Sequence, residues 1–112
     1  MQYQATHRFA RIAPRKVRLV ADLIRGKTVE EAQVILRYLP HRGARLLEKV
    51  LHSALGNAED RGSRSIDELV VTDARVDEGP RLKRLMPRAR GMAHVIRRRM
   101  SHIHVVVEEP GE

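Results

Sequence analysis

The chain has 112 residues, with 22 Lys and Arg against 14 Asp and Glu, six His, and a formal net charge of +8. It contains no Cys and no Trp, one Phe and two Tyr, which excludes disulfides, thiolate metal sites, Cys nucleophiles and a base-stacking platform built of several aromatic rings. The length suits one domain and the hydrophobic fraction of 42% suits a modest core. No apolar run nears the roughly 18 residues of a membrane span, and the N-terminus lacks a signal-peptide core, so no membrane partner is expected.

Residues 2–12 alternate. Tyr3, Ala5, His7 and Phe9 fall on one side of an extended chain and Gln4, Thr6 and Arg8 on the other, which predicts a strand. Pro14 suits the first turn of a helix, where its missing N–H costs nothing. Val17, Val20, Ala21 and Ile24 then repeat at i, i+3, i+4, i+7 up to Gly26. Thr28-Val29-Glu30-Glu31 has the form of a capping box and opens a second helix through Ala32, Ile35, Leu36 and Leu39, stopped by Pro40. A third helix is expected from Arg42 to Asp60, with Ala44, Leu47, Leu51, Ala54, Leu55 and Ala58 as its buried stripe and Gly62 closing it.

Leu69 to Asp77 reads as a strand with Val70, Thr72, Ala74 and Val76 on one face. Ser101 to Glu108 reads as another, with Ile103, Val105 and Val107 toward the core; only Glu108-Glu109-Pro110-Gly111-Glu112 looks like a tail. The order β-α-α-α-β-β implies an α+β, two-layer body: a three-stranded antiparallel sheet with helices on one face and its last two strands paired.

The location of the charge says more than its total. Residues 1–27 carry seven basic and one acidic side chain, residues 28–80 seven and ten, residues 81–99 eight and none, and residues 100–112 none and three. No acid occurs between Gly79 and Val107. Solubility does not call for the removal of every acid, so this segment reads as a surface for a polyanion. Arg15, Lys16 and Arg18 crowd the start of the first helix, where cations oppose the macrodipole. Phosphate neutralisation would offset that cost.

Strands that pair in a hairpin are usually joined by two to five residues, whereas about twenty lie between the last two strands here. Leu82, Leu85, Met86, Val95, Ile96 and Met100 are interspersed with the cations, and Gly79-Pro80, Pro87 and Gly91 punctuate the segment. Because both ends are fixed by one strand pair, the segment must run out and return, with a reach of roughly 30 Å for arms of about ten residues. A protruding basic hairpin that orders on nucleic acid fits this composition. It occupies about 80–101.

Other chemistries are weaker. His102 and His104 share a strand face, but no Cys is available and no nearby acid completes a metal set, so a satisfied or RNA-facing pair is expected. Asp22, His52 and Ser53 are residue types of a catalytic triad, yet Ser53 lacks a nucleophile elbow and its helical neighbour His52 diverges from it. No Gly-rich phosphate loop is present. Neither enzyme activity, a cofactor nor a metal is expected. Two DNA readings remain: an architectural protein gripping the minor groove with a basic β-arm, and a helix-turn-helix around Gly26. Two separated basic surfaces suit wrapping in folded RNA better, and no dimer face is evident, so no homo-oligomer is expected.

The runs RIAPRKVRLVADLIRGKTVEEA, VDEGP, GPRLKRLMPRARG and IRRRMSHIHVVV give the chain a resemblance, in order and over nearly its whole length, to the family of ribosomal protein number twenty-two of the large subunit. The specific part is Lys83, then Arg88-Ala89-x-Gly91, then His102-Ile103-x-Val105-x-Val107. The resemblance implies one rRNA-binding domain over 1–112, in the cytoplasm as part of the ribosome. Its partners would be large-subunit rRNA, neighbouring large-subunit proteins and the nascent polypeptide. In that family the body lies near the outer end of the peptide exit tunnel, and the hairpin threads inward to form tunnel wall near a constriction close to the macrolide site.

The residues expected to meet rRNA are Arg8, Arg11, Arg15, Lys16, Arg18, Lys27, Arg81, Lys83, Arg84, Arg88, Arg90, Arg97, Arg98, Arg99 and His102. The hairpin tip is expected at Leu82, Lys83, Arg84, Leu85, Met86, Pro87, Arg88, Ala89, Arg90, Gly91 and Met92. Met92-Ala93-His94-Val95 departs from the family, which usually has a basic or polar residue after the glycine, often followed by Ala-Asp. Met92 is therefore expected to pack or to face the tunnel.

Overall fold

The strand–helix–helix–helix–strand–strand order is the order observed in a computed structural model, which describes residues 2–63, 66–87, 91 and 93–109. Strand β1 is Gln2–Ala10, followed by helices α1 (Pro14–Ile24), α2 (Val29–Tyr38) and α3 (Arg42–Asp60). A 3-10 turn at Ile66–Glu68 leads to β2 (Val70–Pro87) and β3 (Ala93–Glu108). The three strands form one antiparallel sheet in the order β1-β3-β2, so the last strand is the central one.

The core is the meeting of apolar stripes. Val17, Val20, Ala21 and Ile24 of α1, and Ala44, Leu47, Leu51, Ala54 and Ala58 of α3, are buried against Val71, Ala74, Ile103, Val105 and Val107 of the sheet. α2 contributes Ala32 and Leu36 and packs chiefly on α1, α3 and the 3-10 turn. Thr28 caps α2, its Oγ1 accepting from the Glu31 amide at 3.3 Å. Arg45 of α3 closes the other end of α2, its guanidinium donating to the carbonyls of Leu36 and Leu39. Among the described residues no helix is long and apolar enough to cross a membrane.

Within the body, side chains and backbone of the helical layer engage part of each outer strand's open edge. On β2, Gly26 N–H donates to Val71 O at 2.8 Å and Val71 N–H to Lys27 O at 2.9 Å. Farther along, Arg25 donates to Ala74 O, and Arg18 Nε and Nη2 both donate to Val76 O at 3.1 and 3.0 Å. On β1, Asn57 of α3 donates to Gln4 O at 2.8 Å.

Bulges overturn two of the expected strand faces. In β1, three steps from His7 to Ala10 match two steps from Ile103 to Ser101. The phase flips there: Ala10 is buried and Phe9, expected on the same side as the buried Tyr3, is 55% exposed. The strand also ends at Ala10 rather than Ile12. In β2 a bulge at Thr72 does the same, so Val71 rather than Val70 or Thr72 shares the core face with Ala74 and Val76. A period-2 reading cannot see an inserted residue.

Candidate nucleic-acid interface

The long connection is strand. β2 and β3 stay paired beyond the body, from Arg81↔Arg99 through Lys83↔Arg97 and Leu85↔Val95 to Pro87↔Ala93. Six steps of strand carry this two-stranded arm about 20 Å beyond its root. The chain is correspondingly elongated, with a radius of gyration of 17.2 Å against roughly 13 Å for a compact domain of this length. The long axis is 66 Å.

The arm begins at a third bulge, between Glu78↔Ser101 and Arg81↔Arg99. Gly79 and Pro80 supply it. A Cβ on Gly79 would lie 3.1 Å from the carbonyl carbon and oxygen of Met100, so any side chain there would require the opposite backbone to give by a few tenths of an ångström. Pro80 has no N–H to donate to the ladder.

The register opposes like charges. Arg81 lies opposite Arg99 and Lys83 opposite Arg97, positions that share one face of the ladder. Directly opposed like charges destabilise a strand pair by roughly 0.2–1 kcal/mol each. An arm built this way gains from an external polyanion. Arg84 lies opposite Ile96 and Leu82 opposite Arg98. Arg99 and Gly91 are exposed. Arg88, Ala89, Arg90 and Met92 lie outside the described residues.

Tertiary structure brings the N-terminal basic cluster to the root of this arm. Ala10 pairs with Ser101, and the buried Ser101 hydroxyl donates to Ile12 O at 2.6 Å. The segment bearing Arg8, Arg11, Arg15 and Lys16, all exposed, is thereby tied two residues from Arg99. Two basic surfaces separate in sequence are neighbours in the fold. Lys27 is exposed at the far end of α1, where its backbone joins the β2 edge. Arg18 differs from its neighbours, because its guanidinium is turned back onto Val76 O and holds α1 to the sheet.

His102 and His104 are both engaged. His102 Nδ1 accepts the Phe9 N–H at 3.1 Å, and the Phe9 ring meets the imidazole edge-on with centroids 5.0 Å apart. His104 Nδ1 lies 3.0 Å from Thr6 Oγ1 and its Nε2 3.1 Å from Asp77 Oδ2. Among the described residues no group of three His, Cys, Asp or Glu is disposed to hold a metal ion. Asp22 is ion-paired with Arg25 at 2.8 Å. His52 lines a shallow groove with Glu30, Gln33 and Glu59. The far end of β3 carries the opposite charge. Tyr3 Oη donates to Glu109 at 2.9 Å and Ser63 Oγ to the same carboxylate at 3.1 Å. These bonds hold the Glu109 carboxyl below the usual carboxylate range, and the Glu109 contact pushes the Tyr3 phenol up.

Spacing gave no hint that Arg18, Arg25 and Asn57 serve the sheet edges, because the carbonyls they meet are defined only once β2 and β1 are outer strands.

Residues 5–108 match the model of the ribosomal protein L22p/L17e family. The chain is 57% identical over 109 residues to the large ribosomal subunit protein uL22 of Rhodopirellula baltica, covering 93% of this chain and 92% of that one. It is 53% identical over 112 residues to the protein of the same name from Desulforamulus reducens, covering 100% and 99% of the two chains. The uL22 protein of Thermus thermophilus is 55% identical over 109 residues, covering 97% and 96%. With a family match over nearly its full length and relatives above half identity, the chain belongs to the ribosomal protein L22p/L17e family.

Proposed function

We propose that the chain is a structural, non-enzymatic component of the large ribosomal subunit, acting as one rRNA-binding domain that joins the ribosome in the cytoplasm without forming a homo-oligomer. The body docks on large-subunit rRNA through Arg8, Arg11, Arg15 and Lys16, and the arm, about 80–101, threads between RNA elements. The observation that carries this reading is the register: a 20 Å ladder that sets basic positions opposite each other is stabilised when phosphates lie alongside it. Family membership supports RNA over the minor-groove DNA arm. The tip, Leu82 to Met92, forms wall of the exit tunnel and meets the nascent polypeptide, and neighbouring ribosomal proteins pack around the body.

The test is binding of the purified chain to a large-subunit rRNA transcript and to duplex DNA over a range of salt. Preference for the rRNA is expected. Exchanging Arg97, Arg98 and Arg99 for Gln should lower the log–log salt slope by roughly 2–3, at about 0.7–0.9 per phosphate contact. Equal binding to duplex DNA, or an unaltered slope, overturns the reading. The tunnel role has its own test. Leu82 and Lys83 face Arg98 and Arg97, so removing all four keeps the register and retracts the tip by about 7 Å. Subunits carrying this deletion should assemble yet respond differently to macrolides or stalling peptides; failed assembly or an unaltered response counts against it.

A further inference from the structure

Phe9 is the one non-glycine residue among those described with a positive φ, at 58°. That conformation is left-handed, and a bulky side chain there is strained. The bulge it serves needs a left-handed residue, and glycine would supply it without strain. The sequence instead places its single Phe at that position. The bulge then turns Ala10 inward and leaves the ring 55% exposed. Two costs thus meet at one residue: backbone strain and an apolar surface in water.

The ring is held. His102 Nδ1 accepts the Phe9 N–H and the imidazole stands at 86° to the ring, while the residue stays 55% exposed to solvent. The exposed cations Arg8 and Arg11 flank it in sequence, and Ala10 and Ser101 join it to the arm root near Arg99. An exposed aromatic ring on a segment that also carries exposed arginines has the chemistry that recognises an unstacked nucleotide: the ring takes the base and the cations take its phosphates. We infer that Phe9 is a stacking residue for one unpaired base of the RNA that docks at the arm root. This rests on the rRNA-binding reading and deepens it.

The chain has no Trp, so Phe9→Trp introduces a unique fluorophore at the site. Binding of a large-subunit rRNA transcript would be measured for the unaltered chain and for Phe9→Ala, Phe9→Leu and Phe9→Trp, each checked for body folding by thermal unfolding. Stacking is worth about 1–3 kcal/mol on alanine substitution, or roughly 5- to 150-fold in affinity. Phe9→Ala and Phe9→Leu should both lose affinity in that range with the salt slope unaltered, because no phosphate contact is removed. Phe9→Trp should bind like the unaltered chain, with its fluorescence quenched by the base. Wild-type affinity in Phe9→Leu would show that the ring only fills space and overturn the inference, as would unquenched fluorescence in a bound Phe9→Trp. If the unaltered chain fails to bind the transcript, the rRNA-binding reading itself falls and this one with it.

Discussion

Replacing Arg97 and Arg99 by Glu should strengthen the free arm and weaken its hold on RNA at the same time. The register sets Arg99 opposite Arg81 and Arg97 opposite Lys83. Each substitution turns an opposed like pair, worth roughly 0.2–1 kcal/mol against the ladder, into an attractive pair of similar size. The swing is about 0.4–2 kcal/mol per pair, and solvent screening of an exposed arm favours the lower half. About 1–2 kcal/mol over the two pairs corresponds to exchange of the arm amides with solvent deuterium slowed roughly five- to thirtyfold, at 1.4 kcal/mol per tenfold. The RNA assay moves the other way. Two lost phosphate contacts lower the log–log salt slope by about 1.4–1.8, and the new carboxylates repel the backbone as well. Native-state hydrogen exchange and salt-dependent RNA binding on the same double variant give both readings. Unchanged protection would show that the cations do not oppose each other in solution. Increased protection with undiminished RNA affinity would show that this face of the arm does not meet RNA.

Ser101→Ala should cost about 1–3 kcal/mol, because the buried hydroxyl is the donor to Ile12 O and its loss leaves that carbonyl unpaired. Thermal unfolding should register a drop of roughly 4–8 °C per kcal/mol, and an unaltered midpoint would mean that water replaces the bond. The Tyr3–Glu109 contact predicts a plateau of stability with two edges. Glu109 is depressed, so its contribution is present above the ordinary carboxylate value of 4.5 and is lost as pH falls below it. Tyr3 is raised, so its contribution is present below the ordinary phenol value of 10.0 and is lost as pH rises through its own higher value. Tyr3→Phe should remove the alkaline edge and soften the acid one in pH-dependent melting; identical profiles would exclude the contact. Finally, replacing residues 81–99 by a short Asn-Gly turn should leave a cooperatively unfolding body, because the buried stripes of the three helices and of the body strands, from Tyr3 to Val76 and from Ser101 to Val107, lie outside that segment. A broad, non-cooperative transition would refute this.

Much of this protein was legible before any coordinates. Helix α3 runs from Arg42 to Asp60 as its i, i+3, i+4 stripe required, and Thr28 caps α2 as its spacing with Glu31 required. The acid-free run from Gly79 to Val107 marked the arm, because charge is a property of composition and survives any uncertainty about conformation. What sequence could not supply was set by contacts between distant segments. Whether Val70 or Val71 faces the core depends on one extra residue opposite Val106 and Val107, and alternation carries no record of it. Arg15, Lys16 and Arg18 look alike in the sequence, yet Arg18 alone of the three donates to Val76 O, a carbonyl left open only because β2 became an edge strand. Alternation put Phe9 on the same side as Tyr3, yet Tyr3 is buried and Phe9 is exposed, because the register shifts before Ala10 pairs with Ser101. Local periodicity determined which elements form, since helix and strand repeats act over a few residues. Tertiary pairing decided which way individual side chains turn, since one bulge reverses every residue that follows it.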